Sequence, residues 1–190
     1  MKKLIIIIII GVAAYGAYYF YTNKLDKLGE LRDGIPQEVS INLEAAKEIP
    51  SLKYVSAYEN DDYGFGFKYP DGFNVMEMPI ESGQVLILQN QKTDVGLQIM
   101  ITQYDGTEES LTAESVKQSV PDLTIKEPQE LFIGESGAKG KGLAFVSDNA
   151  EFGGKSREVW FIYNGNLYQM STYLDYDELI KGILNNWEFK

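Results

Sequence analysis

The chain has 190 residues, a net charge of −11, and neither cysteine nor histidine. That length makes one domain with room for an appendage, and the negative field repels phosphate backbones, so nucleic acid is not an expected partner. Disulfides, thiol nucleophiles, imidazole bases and nearly every zinc site are excluded, while carboxylate pairs, a Ser-Lys dyad and oxygen-ligand cation sites remain open.

Two lysines precede an uncharged run from Leu4 to Tyr21, "LIIIIIIGVAAYGAYYFY". At about 1.5 Å per residue this run makes a helix of roughly 27 Å, close to a hydrocarbon core of roughly 30 Å. Tyr15, Tyr18, Tyr19, Phe20 and Tyr21 fit an aromatic belt at the membrane interface. Val12-Ala13-Ala14 and Ala14-Tyr15-Gly16 have the small residues of a cleavage site but not its polar context. An uncleaved transmembrane signal anchor over residues 1–22 is therefore favoured over a secretory peptide. The expected location is the cell membrane, crossed once through residues 4–21, with the C-terminal body extracytoplasmic; secretion after cleavage is the alternative. Ala13 and Ala17 make a small-xxx-small pair through which two such helices could self-associate.

Residues 23–57 read as a stalk helix and linker. Leu25, Leu28 and Leu31 recur among charges until Gly34 and Pro36 stop the helix, and "EVSINLEAAKEI" between Pro36 and Pro50 reads as a tether with one short helix. Residues 58–190 read as the globular domain. In "YGFGFKYPDGFNV" the aromatics Phe65 and Phe67 alternate with Gly64 and Gly66 before a Pro70-Asp71-Gly72 turn, so this run is a strand entering a corner, not a ligand loop. "GQVLILQN" and "VGLQIMITQY" are the next strands, and "TAESVKQSV" is a short helix bounded by Thr112 and Pro121. "ELFIGES", "GLAFVSD" and "REVWFIY" follow as strands, and Asn164-Gly165 joins the last of them to "NLYQMSTYL" as a two-residue hairpin. Tyr176 to Trp187 closes the chain as an amphipathic helix, with Asp175 and Glu178 as a capping-box-like start and Ile180, Ile183, Leu184 and Trp187 along one face. The predicted fold is α+β, an antiparallel sheet flanked by helices in an α-β-α sandwich, behind the N-terminal transmembrane helix.

"YGFGFKYPDGF", the hairpin "NGNLYQMS" and the closing "ILNNWEFK" together resemble the PsbP-like domains (Mog/PsbP-type α-β-α sandwich) over roughly residues 58–190. The resemblance implies the sandwich fold and a non-enzymatic accessory or binding module. Metal sites proposed in photosynthetic members use histidine, which this chain lacks, so no functional residue is carried across.

Several motifs are approached and missed. "GESGAKGKG" has five residues between Gly134 and Gly140 where a P-loop has four, puts Gly142 after Lys141, and leads into a strand instead of a helix. Ser136 to Lys139 and Ser147-Asp148-Asn149 match S-x-x-K and S-D-N, but the serine lies in a glycine-rich loop and no K-T-G follows. "DNAEFG" puts Ala150 and Phe152 where a calcium loop needs ligands. Asp175, Asp177 and Glu178 could hold a hard cation, yet helix capping already accounts for them. Asp61-Asp62 and Glu108-Glu109 read as solvated charge. No catalytic residue, metal site or cofactor is assigned.

Tyr163, Tyr168, Tyr173 and Tyr176, around the terminal hairpin, form a candidate recognition surface, since tyrosine offers large contact area at low entropic cost. The expected function is a membrane-anchored, extracytoplasmic, non-catalytic binding or accessory module acting on a protein or envelope partner. The alternative is a pilin-like structural subunit assembling through its apolar N-terminal helix, although the run holds no glutamate and no prepilin-type Gly-Phe junction.

Overall fold

Phe65 and Phe67 stand on one face of a strand whose intervening Gly66 has no side chain, and both rings are buried against Trp187. The computed structural model that shows this describes residues 52–90, 92–93, 95–134, 140–148 and 155–190. The elements run β1 (Tyr54–Asn60), β2 (Phe65–Pro70), β3 (Asn74–Ile80), β4 (Gly83–Asn90), β5 (Val95–Gln103), α1 (Ala113–Ser119), β6 (Lys126–Ile133), β7 (Gly140–Ser147), β8 (Ser156–Tyr163), β9 (Asn166–Tyr173), α2 (Asp177–Asn185) and β10 (Trp187–Phe189). Short 3-10 turns at Glu108–Ser110 and Leu174–Tyr176 precede the two helices.

The strands form two antiparallel sheets: a small one in the order β1-β2-β10, and a seven-stranded one in the order β3-β4-β5-β9-β8-β7-β6. One continuous core joins them. Phe65, Phe67 and Trp187 from the small sheet meet Leu86, Leu88, Leu97, Ile99, Phe161, Tyr168 and Met170 from the large one, and Leu179, Ile180 and Ile183 of α2 close the side. Period-2 alternation sends Trp160 and Ile162 to the other face, where with Leu143 and Phe145 they pack under Leu111 and Val116 of the α1 region. Thr112 caps α1 in a reciprocal pair with Ser115.

The turns follow their residue chemistry. Phe73 N–H donates to the Pro70 carbonyl across Asp71-Gly72, with Gly72 at φ 80°. Asn164 and Gly165 both take positive φ, 48° and 69°, the condition for a two-residue hairpin matched to strand twist.

The expected α-β-α sandwich is overturned. The layer covering the seven-stranded sheet is a second sheet, not a helical layer, and among the described residues there are two α-helices, of 7 and 9 residues. Two segments account for the difference. Tyr54–Asn60, whose first four residues were read as tether, pairs along β2, so the body begins before residue 58. The closing helix stops at Asn185, and Trp187–Phe189 turns into a strand on the other side of β2. The chain divides after Pro50, and every described residue lies in the unit Ser51–Lys190. Among the described residues no helix is long and apolar enough to cross a membrane; residues 4–21 and the stalk lie outside them.

Tyr54 pins the entrance of the body. Its hydroxyl donates to the Glu178 and Leu179 carbonyls of α2, at 3.0 and 3.2 Å, and its ring lies over Gly182, where an alanine Cβ would come within 2.0 Å of it. Gly83 is tighter still, because a Cβ there would sit 1.9 Å from the main-chain oxygen of Ile101.

Trp187→Ala is expected to destabilise the protein by about 3–5 kcal/mol, and Gly83→Ala by about 1–3 kcal/mol through a clash that backbone must absorb. Urea unfolding of the two variants checks both values.

Candidate functional site

A chain of polar side chains ties the small sheet to an outer hairpin of the large one. β3 and β4 pair without interruption from Asn74↔Gln89 to Ile80↔Gly83. Glu77 and Gln84 project from that hairpin toward the small sheet, where β1 ends in Tyr58 and Asn60. Gln84 Nε2 donates to Glu77 Oε2 at 2.7 Å, and Asn60 Nδ2 donates to Gln84 Oε1 at 2.9 Å and to the Tyr58 hydroxyl at 3.0 Å. The Asn60 side-chain oxygen accepts the Tyr63 N–H at 3.0 Å, which fixes the amide orientation. The Glu77 carboxylate also lies close enough to the Tyr58 hydroxyl to bear on its titration. Burial pushes the Tyr58 hydroxyl up to about 12, with the Asn60 hydrogen bond pulling down and the Glu77 carboxylate pushing further up. Asn60 is buried and Glu77 is exposed, so the lattice presents a carboxylate fixed from behind.

Among the described residues β3 is one of the two end strands of the seven-stranded sheet. On the face opposite Glu77, Met76 is 49% exposed, and Met78 beside it is half-buried. β3 thus combines a strand edge, an exposed apolar side chain and a carboxylate held by an amide. Among the described residues no group of three Asp or Glu side chains gathers at metal-binding spacing.

The four tyrosines nominated from sequence do not form one surface. Tyr168 is fully buried, stacked on Phe161 at 4.7 Å, and burial raises its pKa. Tyr163 lies on Phe189, centroids 4.1 Å apart, and donates to the Lys190 carbonyl. Tyr173 and Tyr176 meet edge to face at 6.0 Å at the other end of β9. Tyr15, Tyr18, Tyr19, Phe20 and Tyr21 lie outside the described residues. The acids near α2 also have other duties than capping: Tyr176 holds the N-cap position without a side-chain bond, and Asp177 pairs with Arg157 at 2.8 Å and Lys181 at 2.9 Å. Asp61 pairs with Lys190, which holds its carboxyl below the usual range. The segment from Gly140 is β7, a strand where a P-loop needs a helix, and residues 135–139, carrying the whole S-x-x-K match, lie outside the described residues.

Sequence reasoning missed Glu158. It is 3% exposed and accepts hydrogen bonds from the Ser156 and Ser171 hydroxyls at 2.6 and 2.5 Å. The signal was its place two residues before Trp160 in an alternating strand, an acid on an apolar face. The Tyr58-Asn60-Gln84-Glu77 lattice was beyond such reasoning, because its two pairs sit on different sheets.

Compared with known families and curated proteins, the chain matches no family model and no curated sequence.

Burial holds the Tyr54 hydroxyl, like that of Tyr58, up to about 12 from an ordinary 10.0. Since the fold favours the protonated phenol, this contribution to stability is whole below pH 10 and is lost as pH rises through 12. Thermal melts across that range should show a steep loss, shallower in Tyr58→Phe, which at neutral pH costs about 1 kcal/mol for the broken lattice.

Proposed function

We propose that this protein is a membrane-anchored, extracytoplasmic, non-catalytic binding module, PsbP-like in kind, whose body engages a protein partner of the cell envelope. One observation carries the reading. Of the four large apolar side chains most exposed among the described residues, three sit on strands at sheet edges: Val55 on β1, Met76 on β3 and Phe132 on β6. An edge strand offers main-chain hydrogen-bonding groups, and an apolar side chain beside them adds the contact area that strand-based recognition uses. The interior supports the same reading, since its aromatic side chains are consumed in joining the sheets: Trp187, Phe65, Phe161 and Tyr168 are all buried.

The anchoring half of the reading rests on the uncharged run from Leu4 to Tyr21 and its aromatic end. Cross-linking the full-length protein in its native membrane, followed by mass spectrometry, tests both halves. The expected outcome is an intact N-terminus and a reproducible foreign envelope protein joined through residues 52–190. A ladder of the protein with itself, joined through residues 4–21, would instead establish a filament or homo-oligomer.

A further inference from the structure

We infer that the free edge of β3 is a strand-addition site for an extended partner segment in which apolar residues alternate with lysine or arginine. The inference rests on the binding-module reading above and names its surface and its chemistry.

Exposed sheet edges invite pairing with other chains, and proteins usually guard them with bulges, prolines, charges or short length. Three edges of this fold are guarded. β6 carries a register shift between Lys126 and Gln129, with Glu127 at φ 52° and Pro128 in the shift. β1 shifts register between Tyr54 and Ser56, and β10 is three residues long. β3 carries Glu77 and Pro79 but has neither a bulge nor short length: its seven residues hold an unbroken register with β4, and among the described residues no strand pairs with its outer side. Pro79 lacks an N–H, so the usable edge is Asn74 to Met78.

The side chains along that edge specify the occupant. Met76 and Met78 lie on one face, flexible and polarizable, able to mould to varied apolar neighbours. Glu77 lies on the other face, held by the Gln84 amide at 2.7 Å, so its carboxylate loses little freedom on meeting a cation. From Asp71 to Asn90 the sequence has Asp71, Glu77 and Glu81 and no lysine or arginine. A second copy of the chain is a poor occupant, since one β3 offers another an acid and no base, in a protein of net charge −11. A strand with apolar residues toward the methionines and a basic residue toward Glu77 satisfies both faces at once.

The test uses the full-length protein in detergent micelles and a soluble capped peptide of alternating valine and lysine. Hydrogen exchange should show new protection confined to Asn74–Met78, salt-sensitive, and absent with the same peptide N-methylated at alternate amides. Glu77→Lys should weaken the valine-lysine peptide by at least about tenfold, roughly 1.4 kcal/mol, and create binding of a valine-glutamate peptide; unchanged exchange elsewhere certifies the fold. Absence of β3 protection at millimolar peptide, protection elsewhere, or equal binding of the N-methylated peptide would overturn the inference. Native-membrane cross-links to a foreign protein through another surface would then leave the binding-module reading standing, whereas self-cross-links alone would remove that reading itself.

Discussion

The stacking of Trp187 against Phe65 and Phe67 is the contact on which the rest of the body depends. Its ring lies nearly parallel to Phe65 at 4.6 Å and to Phe67 at 5.2 Å, and it meets Phe161 and Tyr168 of the large sheet edge-on at 5.4 and 6.0 Å. One side chain thus touches both layers. Its position on β10 also forces α2 to stop and the chain to cross beside β2. The small sheet is therefore made from the beginning and the end of the body, and such pairing of distant segments must bear a loop-closure cost before contacts offset it. The indole N–H of Trp187 has no hydrogen-bond partner, a penalty that aromatic packing on four sides outweighs.

Polar groups enter this fold at its margins and on the outer face of the large sheet. The Tyr58-Asn60-Gln84-Glu77 lattice bridges the sheets where the apolar core runs out, and each member satisfies another. Glu158 instead sits inside the sheet surface, where Ser156 and Ser171 supply hydroxyls directed at its carboxylate.

Much of the large sheet was legible from sequence. Strands β4 to β9 announce themselves by alternation, Asn164-Gly165 fixes the β8–β9 register, and Thr112 marks the start of α1. The small sheet was not legible, for local reasons. β1 follows Pro50 and is half-buried, so "YVSAYEN" lacks a sharp apolar face. β10 is too short to show a period, and Trp187 lies four residues after Ile183, which extends a helical stripe into a strand. Mistaking those two segments turned a sandwich of two sheets into one of sheet and helices. The site was less legible than the fold: composition pointed to tyrosine, but alternation sent Tyr168 into the core and put Tyr163 and Tyr173 at opposite ends of the hairpin. An edge is a property of sheet order, which no single strand encodes.

The fastening of Tyr54 onto α2 has a mechanical meaning. A pull on the chain preceding Leu52 loads the Tyr54 side chain together with the first backbone ties between the strands, the Asp71 N–H to Lys53 carbonyl bond and the Tyr54–Pro70 pair. The phenol hands that load to the Glu178 and Leu179 carbonyls and the flank of Gly182. Force is thereby shared with a helix whose Leu179, Ile180 and Ile183 are seated in the core, so the first strand does not peel away one hydrogen bond at a time. The body is built to be held by its leading end.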